Sequence, residues 1–378
     1  MSTSNKQPQF HTLKISNIAQ ENRHAISVYF EIPEHLQSIF TYKAGQYITL
    51  RIRILGRFIL RSYSLSSCSA TDNYFRICIK RKVGGLVSGF LVDTLRKGDE
   101  LEVFPPLGDF SPSQTLQPKN YFLYAAGSGI TPIISILKCL LTQNTAHKIT
   151  LFYTNRNQQL AIYWDELQQL QYQFGEKFVF YPIFTKATKN WKGLRNFYKP
   201  SDYTTFLQQN YDGQLKDSEH FICGPTAMMQ TVESALLKNL GIDFNQIHVE
   251  YFDMSKQAQE MAAHRKHLEN AAEKLNIPAK ISLDDEEVIP AMVVLNGQPH
   301  HVPIQKRETI LAACLKQDLD VPFMCESGVC TTCRASLLEG QVDMKVDYAL
   351  TESEIKEGYI LTCQAIPVST SVSVNFDI

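Results

Sequence analysis

The chain has 378 residues, 44% hydrophobic and 20% charged, with a formal net charge of −1. This is an ordinary balance for a globular protein of two or three domains. No polybasic tract supports nucleic-acid or anionic-membrane binding, and no apolar run approaches the ~18 residues of a membrane span. Met1–Phe10 is polar rather than leader-like, and the nine cysteines are an odd count. A cytoplasmic, reducing setting with free thiols is therefore expected.

To about Ser113 the chain is strand-rich. Tyr47–Ile54, Tyr74–Lys80 and Glu100–Phe104 are short, β-branched or aromatic, and separated by turn residues, which predicts a barrel or sandwich. This region carries Arg61-Ser-Tyr-Ser64. Arginine offers a bidentate fork for phosphate, tyrosine a flat face, and serine a small hydroxyl. Lys80-Arg-Lys-Val-Gly-Gly85-Leu86-Val87-Ser88 follows, then a helix expected over Gly89–Leu95. Glycines ahead of a helix let amides approach a phosphate; the plainer reading is a solvated basic turn.

After a polar linker at Gln114–Asn120 the texture changes. Strand Tyr121–Ala126, the turn Gly127-Ser-Gly129-Ile-Thr131-Pro132 and the helix Ile133–Leu141 come first. Strand Ile149–Tyr153, helix Trp164–Tyr172, strands Phe178–Phe184 and Glu219–Cys223, and helix Thr226–Asn239 complete the alternation. It predicts a parallel, doubly wound sheet. Gly-x-Gly between a strand and a helix suits a dinucleotide pyrophosphate, and Pro132 suits a first helical turn. The next strand ends in Thr154-Asn-Arg156, where many NAD sites carry an acid. Arg156 favours NADPH over NADH, the alternative being an arginine that only ends the strand. Cys223-Gly224-Pro225 closes another strand at the ligand-binding end of such a sheet, or is a buried thiol in a tight turn. Glu250-Tyr-Phe252 ends the region, with Phe252 placed to cover a ring or plug a seam.

Residues 253–289 are polar and rich in Ala, Lys and Glu, with a surface helix expected over Met261–Leu275 and an acidic run Asp284–Glu287. Strands Ala291–Leu295 and His301–Ile304 flank Asn296-Gly297, a strong hairpin signal, and a helix is expected over Thr309–Gln317. Then come Cys325, Cys330 and Cys333, answered by Cys363, in the spacing C-x4-C-x2-C-x29-C. That is the plant-type pattern for a [2Fe–2S] cluster. Zinc prefers two short knuckles, and Cys363 has no near partner in sequence. His300 and His301 raise a Rieske alternative, but four cysteines suffice without them. Cys68, Cys78, Cys139 and Cys314 read as buried, inert thiols. Asp318, Asp320, Glu326, Glu339, Asp343 and Asp347 give the cluster region an acidic tone, which suits a basic partner or simple solubility.

Taken in order, RSYS, GGLVS, GSGITP, CGP and EYF resemble the ferredoxin–NADP⁺ reductase superfamily, fused to a C-terminal plant-type ferredoxin domain. The order is similar to reductase components of bacterial oxygenases, especially those serving diiron monooxygenases of the phenylacetyl-CoA epoxidase type. The resemblance implies a multidomain fold: an antiparallel β-barrel flavin domain at 1–115, an α/β doubly wound nucleotide domain at 116–252, a linker at 253–289 and a β-grasp-like ferredoxin domain at 290–378. It implies that Arg61, Tyr63 and Ser64 meet the flavin phosphate, ring and N5 region, and that Gly85, Leu86, Val87 and Ser88 hold flavin phosphates. Gly127, Gly129, Thr131, Pro132 and Gly224 would bind the nicotinamide nucleotide, Arg156 its 2′-phosphate, and Phe252 would cover the flavin. Ser64, Cys223 and Glu250 become the candidate catalytic residues. Cys325, Cys330, Cys333 and Cys363 become the cluster ligands. The implied cofactors are FAD in preference to FMN, NADPH in preference to NADH, and [2Fe–2S]; the implied partner is an oxygenase or desaturase, or a ring-hydroxylating dioxygenase. A redox-sensing interaction protein is the alternative from another class, and the intact flavin and nucleotide motifs argue against it.

Overall fold

The computed structural model describes residues 10–54, 56–112, 119–142, 146–211, 213–215, 217–252, 288–306, 308–323, 325–326, 328, 330–344, 346–347 and 349–378. The expected helix Met261–Leu275, the acidic run Asp284–Glu287 and linker residues 114–118 lie outside them. The chain divides into two compact units, one within Gln9–Phe252 and one within Asp253–Ile378. Among the described residues no helix is long and apolar enough to cross a membrane.

In the first unit, β1 (His11–Asn22), β2 (Ala25–Glu31), β3 (Tyr47–Ile54), β4 (Arg57–Ser64), β5 (Phe75–Lys80) and β6 (Glu100–Leu107) form an antiparallel sheet ordered β4-β3-β6-β1-β2-β5. A bridge between Leu65 and Ile77 joins its two edges and closes a barrel. Alternate residues fill it: Leu13 and Ile15, Ile48 and Leu50, Ile77 and Ile79 are wholly buried. Helix α1 (Leu86–Thr94) seats Val87 and Leu91 against this barrel core. It begins three residues earlier than the sequence suggested, because Gly85 itself supplies the extended cap.

The second half of this unit is a parallel sheet of β7 (Lys119–Ala126), β8 (Ala146–Asn155), β9 (Phe178–Phe184), β10 (Leu194–Arg195), β11 (Ser218–Cys223) and β12 (Ile247–Glu250). Their order is β10-β9-β8-β7-β11-β12. Helices α2 (Ile130–Thr142) and α3 (Trp164–Phe174) pack with the core on one face. Helices α4 (Pro200–Tyr211) and α5 (Thr226–Ser234) pack with the core on the other. Strands covered on both faces read as near-continuous apolar runs, as Tyr121–Ala126 does. α2 is apolar nearly all round and buries almost every residue. The regular helix after Pro225 stops at Ser234 and widens into a π turn over Ala235–Asn239, shorter than expected.

Barrel and sheet meet through a buried ion network. Arg76 on β5 donates to Glu166 on α3 at 2.9 and 3.3 Å. Lys138 on α2 reaches Glu166 at 2.8 Å, Asp72 at 2.6 Å and the Tyr74 hydroxyl at 2.9 Å. Burial pushes the Glu166 carboxyl up, but Arg76 and Lys138 more than offset it and hold it below the usual range. The Arg76 guanidinium also lies 4.2 Å from the centre of the Tyr163 ring. Removing one partner leaves buried cations uncompensated. Glu166→Ala is expected to destabilise this unit by about 3 kcal/mol or more, read as an earlier first transition in urea unfolding of the full chain.

The second unit holds β13 (Ile289–Leu295), β14 (Gln298–Ile304), β15 (Arg334–Glu339), β16 (Val342–Met344), β17 (Tyr359–Leu361), β18 (Ala365–Pro367) and β19 (Val372–Asn375). The main sheet runs β14-β13-β19-β15-β17, parallel only at β13–β19. Its hairpin turns at Asn296 and Gly297, both with positive φ, whose amides donate to the Asp377 carboxylate at 2.7 Å each. Helix α6 (Ile310–Lys316) is capped by the Thr309 hydroxyl and buries Ile310, Leu311, Ala313 and Cys314. α7 (Glu352–Lys356) opens with a capping box at Thr351 and Glu354.

Candidate functional site

The parallel sheet reverses its order beside β7, and the strand ends there are where open sheets bind ligands. The loops after β7 and β11 touch at this point. A methyl group on Gly129 would sit 2.1 Å from the Cys223 carbonyl oxygen, and one on Gly224 would sit 3.1 Å from the Ala126 amide nitrogen. The glycines are therefore required for loop-on-loop contact as well as for any ligand. Gly127 has φ +55° and its carbonyl accepts from the Tyr153 hydroxyl at 3.0 Å. The Thr131 hydroxyl donates to the Ser128 carbonyl at 3.0 Å, and Pro132 is buried in the first turn of α2. Arg156 lies exposed just beyond β8, with its carbonyl accepting from the Lys186 amide at 2.7 Å.

Sequence reasoning missed Lys80. It ends β5 of the barrel, yet a methyl group on Gly127 would lie 2.9 Å from its Nζ. Burial, together with the charge of Arg156, pushes the Lys80 ammonium down from its ordinary value. Lys80, Arg156 and the Gly127 turn thus assemble a cationic mouth from both halves of the unit. Only the lysine heading the basic run Lys80-Arg-Lys82 hinted at it.

In the barrel, Arg61 and Tyr63 share one side of β4 by the two-residue period, with Arg61 exposed and Tyr63 half-buried. Burial pushes the Tyr63 phenol up to about 12. Ser64 is buried and pairs with Tyr47 of β3, which pairs in turn with Leu107 of β6. The Lys82 amide donates to the Ser88 hydroxyl at 3.0 Å, and Gly85 admits that hydroxyl where a methyl group would meet it at 2.8 Å. Val87 is buried, whereas Leu86 faces solvent.

Cys223 and Glu250 end neighbouring parallel strands in register. Burial, then the Glu250 charge, raises the Cys223 thiol well above its ordinary value. Burial, then Asp109, pushes the Glu250 carboxyl up to about 7. Asp109 follows the end of β6, so the strand pairing β4–β3–β6, the charge of Asp109 on Glu250 and the pairing of Glu250 with Cys223 link Ser64 to Cys223. Phe252, half-exposed, ends the described part of this unit.

In the other unit, Cys325 hydrogen-bonds Cys330 and Cys363 hydrogen-bonds Cys333. The Cys325 contact holds the Cys330 thiol down at about 6, and the Cys363 contact lowers Cys333. Sharing with Cys333, then burial, drives Cys363 up. The Thr362 amide and hydroxyl donate to the Cys333 carbonyl at 3.1 and 2.9 Å, which ties the distant cysteine to the loop. Gly328, at φ +74°, turns its amide onto the Cys363 sulfur, and a methyl group there would strike Val346 at 2.7 Å. Gln364 donates to the same sulfur at 3.7 Å. Among the described residues no three His, Cys, Asp or Glu side chains converge as around one metal ion. The four thiols form two hydrogen-bonded pairs, and the charge of Cys325 acts on both Cys333 and Cys363, a donor set that would suit a [2Fe–2S] cluster.

Residues 12–111 match the oxidoreductase FAD-binding domain, 123–234 the oxidoreductase NAD-binding domain, and 293–368 the 2Fe-2S iron-sulfur cluster binding domain. The ferredoxin reductase component of 3-ketosteroid-9-alpha-monooxygenase from Rhodococcus rhodochrous is 32% identical over 96% of each chain. One component of the 1,2-phenylacetyl-CoA epoxidase of Escherichia coli K12 is 31% identical over 97% of this chain and 98% of its own. The chain belongs to this family of modular ferredoxin reductases. Phthalate dioxygenase reductase, 21% identical, shares the fold with a TM-score of 0.54 over 97% of this chain and 98% of its own.

As a member of this family the chain is an oxidoreductase that takes FAD, a nicotinamide nucleotide and a [2Fe–2S] cluster. The residues present fit that set: glycine cradles that no Cβ could enter at the switch point, and paired thiols under amide donors in the ferredoxin unit. The reductase offers two direct checks here. Lys80→Ala is expected to raise the KM for the nicotinamide nucleotide about tenfold, on the order of 1.4 kcal/mol, with a smaller change in kcat. Glu250 is proton-bound in the fold up to about pH 7. A raised carboxyl lends its stabilisation below the unfolded value and loses it as pH climbs through the folded one. The wild-type melting temperature should therefore fall between about pH 4.5 and 7 more steeply than that of Glu250→Gln.

Proposed function

We propose that this reductase takes electrons from NADPH and passes them one at a time to a separate oxygenase of the phenylacetyl-CoA epoxidase type. When bound, FAD accepts an electron pair from the nicotinamide and the [2Fe–2S] cluster accepts single electrons. The observation that carries the reading is the gathering of Cys325 with Cys330 and Cys333 with Cys363 on the same chain as a nucleotide crevice. Gly127, Gly129, Thr131, Pro132 and Gly224 hold the dinucleotide, and Lys80 and Arg156 bind its phosphates. Arg61, Tyr63, Ser64, Gly85, Leu86, Val87 and Ser88 hold the flavin, and Phe252 covers its ring. Ser64, Cys223 and Glu250 border the reacting rings; Cys223, buried and uncharged, sets ring spacing and carries no nucleophilic role. The assigned domains are 1–115, 116–252 and 290–378, joined by 253–289, in a reducing, cytosolic setting.

Full-length similarity to the epoxidase component supports the partner. The equally full-length likeness to the ketosteroid monooxygenase component favours a second reading, a steroid-hydroxylating oxygenase. Reconstitution with each purified oxygenase, scoring coupled product, separates them. Product with the epoxidase system alone is expected; product only with the steroid oxygenase would overturn the partner and leave the reductase intact.

Two substitutions test the site. Arg156→Ser is expected to lower kcat/KM for NADPH at least tenfold, about 1.4 kcal/mol, while that for NADH changes little. Cys330→Ser is expected to lower bound iron and acid-labile sulfide and abolish reduction of one-electron protein acceptors. NADPH should still bleach its flavin at the wild-type rate.

A further inference from the structure

Two of the cysteines expected to be inert are not isolated. Cys68 lies in the turn after β4, where its carbonyl accepts from the Thr71 and Asp72 amides at 3.1 and 2.8 Å. Its own amide donates to the Asp72 carboxylate at 2.8 Å. Cys139 lies on α2, across the seam between barrel and parallel sheet. The face of α2 that carries it is bound to the same turn at two positions just before the thiol. The Ser135 hydroxyl donates to the Ser67 carbonyl at 2.6 Å, and Lys138 pairs with Asp72 at 2.6 Å. Ser135, Lys138 and Cys139 follow the i, i+3, i+4 spacing of one helix face. The Cys139 thiol accordingly meets the Cys68 sulfur in a hydrogen bond, and the Thr71 hydroxyl and the Ala70 and Thr71 amides converge on that sulfur. These donors, Cys139 first, hold the Cys68 thiol down at about 6 despite burial. Cys68 is 1% exposed, whereas Cys139 is only part-buried.

We propose that Cys68 and Cys139 are a dithiol which hydroperoxides oxidise to a disulfide, stapling the flavin barrel to the nucleotide sheet. Cys139, the solvent-facing partner, shifts its hydrogen-bonded proton onto the Cys68 sulfur and attacks the peroxide as a thiolate: a sulfur–oxygen bond forms, the oxygen–oxygen bond breaks, and the departing hydroxide takes the Cys68 proton and leaves as water. The Cys68 thiolate then attacks the Cys139 sulfenic sulfur; the sulfur–sulfur bond forms and hydroxide departs, taking a proton to become water. Two thiols lose two electrons and two protons, and hydrogen peroxide becomes two waters. The donors around Cys68 make it the resolving thiolate. The staple joins residues from two cores whose mutual placement governs how nicotinamide meets flavin. It depends on neither the acceptor nor the cluster.

The test treats the full-length holoprotein with dilute hydrogen peroxide, quenches with an alkylating agent and maps non-reduced peptides by mass spectrometry. Cluster absorbance is followed in parallel. The expected product joins the Cys68 and Cys139 peptides and is two hydrogens lighter than the pair. It is absent from Cys68→Ser, in which a diketone probe traps Cys139 sulfenic acid, and absent from Cys139→Ser. Oxidised wild type should unfold at a temperature higher by on the order of 5–15 °C, reversibly with dithiothreitol. Should a variant fail to retain flavin, Cys139→Ala and the wild-type map alone decide. Both cysteines fully alkylated after the cluster has bleached, or Cys68 linked to any other cysteine, would overturn the proposal.

Discussion

The first unit depends on charges buried between two unlike architectures. A closed antiparallel barrel and a doubly wound sheet have no shared strand, so their relative angle rests on side chains. Arg76 from the barrel, Lys138 and Glu166 from the sheet's helices and Asp72 from the turn between them are each at least three-quarters buried. Desolvating any one alone is costly; assembled, each satisfies the others. Tyr163 and Ser66 extend the network through a 2.7 Å hydrogen bond. A network that tolerates few alternative arrangements fixes orientation more than it adds stability, which is what a hydride transfer between two bound rings demands.

That orientation has a chemical consequence at the crevice. Lys80 arrives from the barrel at the glycine turn of the sheet, so both halves contribute to the cationic mouth at which the nucleotide phosphates are proposed to bind. Gly129 and Gly224 lock the two sheet loops onto each other, which leaves little slack in the position of Cys223. Glu250 sits beside it, its carboxyl raised to about 7 by burial and by the charge of Asp109.

Much of this was legible in the sequence because the signals are local. The spacing from Cys325 to Cys333 encodes a loop, Asn296-Gly297 encodes a turn, and Gly127-x-Gly129 encodes the tight turn between strand and helix. The barrel's closure, α4 and the ion network were not legible. Arg76 and Glu166 are 90 positions apart, and neither stands in a motif. Lys80 reads as part of a basic turn, because nothing in its neighbourhood says that strand β5 ends against another domain's loop. The nearness of Cys68 to Cys139 was hidden for the same reason: each is unremarkable in its own segment, and only packing brings the thiols together.

The central claim is that reducing equivalents enter this chain in pairs at the crevice and leave singly from the four-cysteine loop. An anaerobic titration of the holoprotein with NADPH, followed by absorbance and low-temperature electron paramagnetic resonance, tests it most directly. The account expects flavin bleaching followed within the turnover time by a rhombic signal that integrates to one spin per chain. Flavin that bleaches while the spectrum stays silent, or a preparation without flavin and iron, would contradict it.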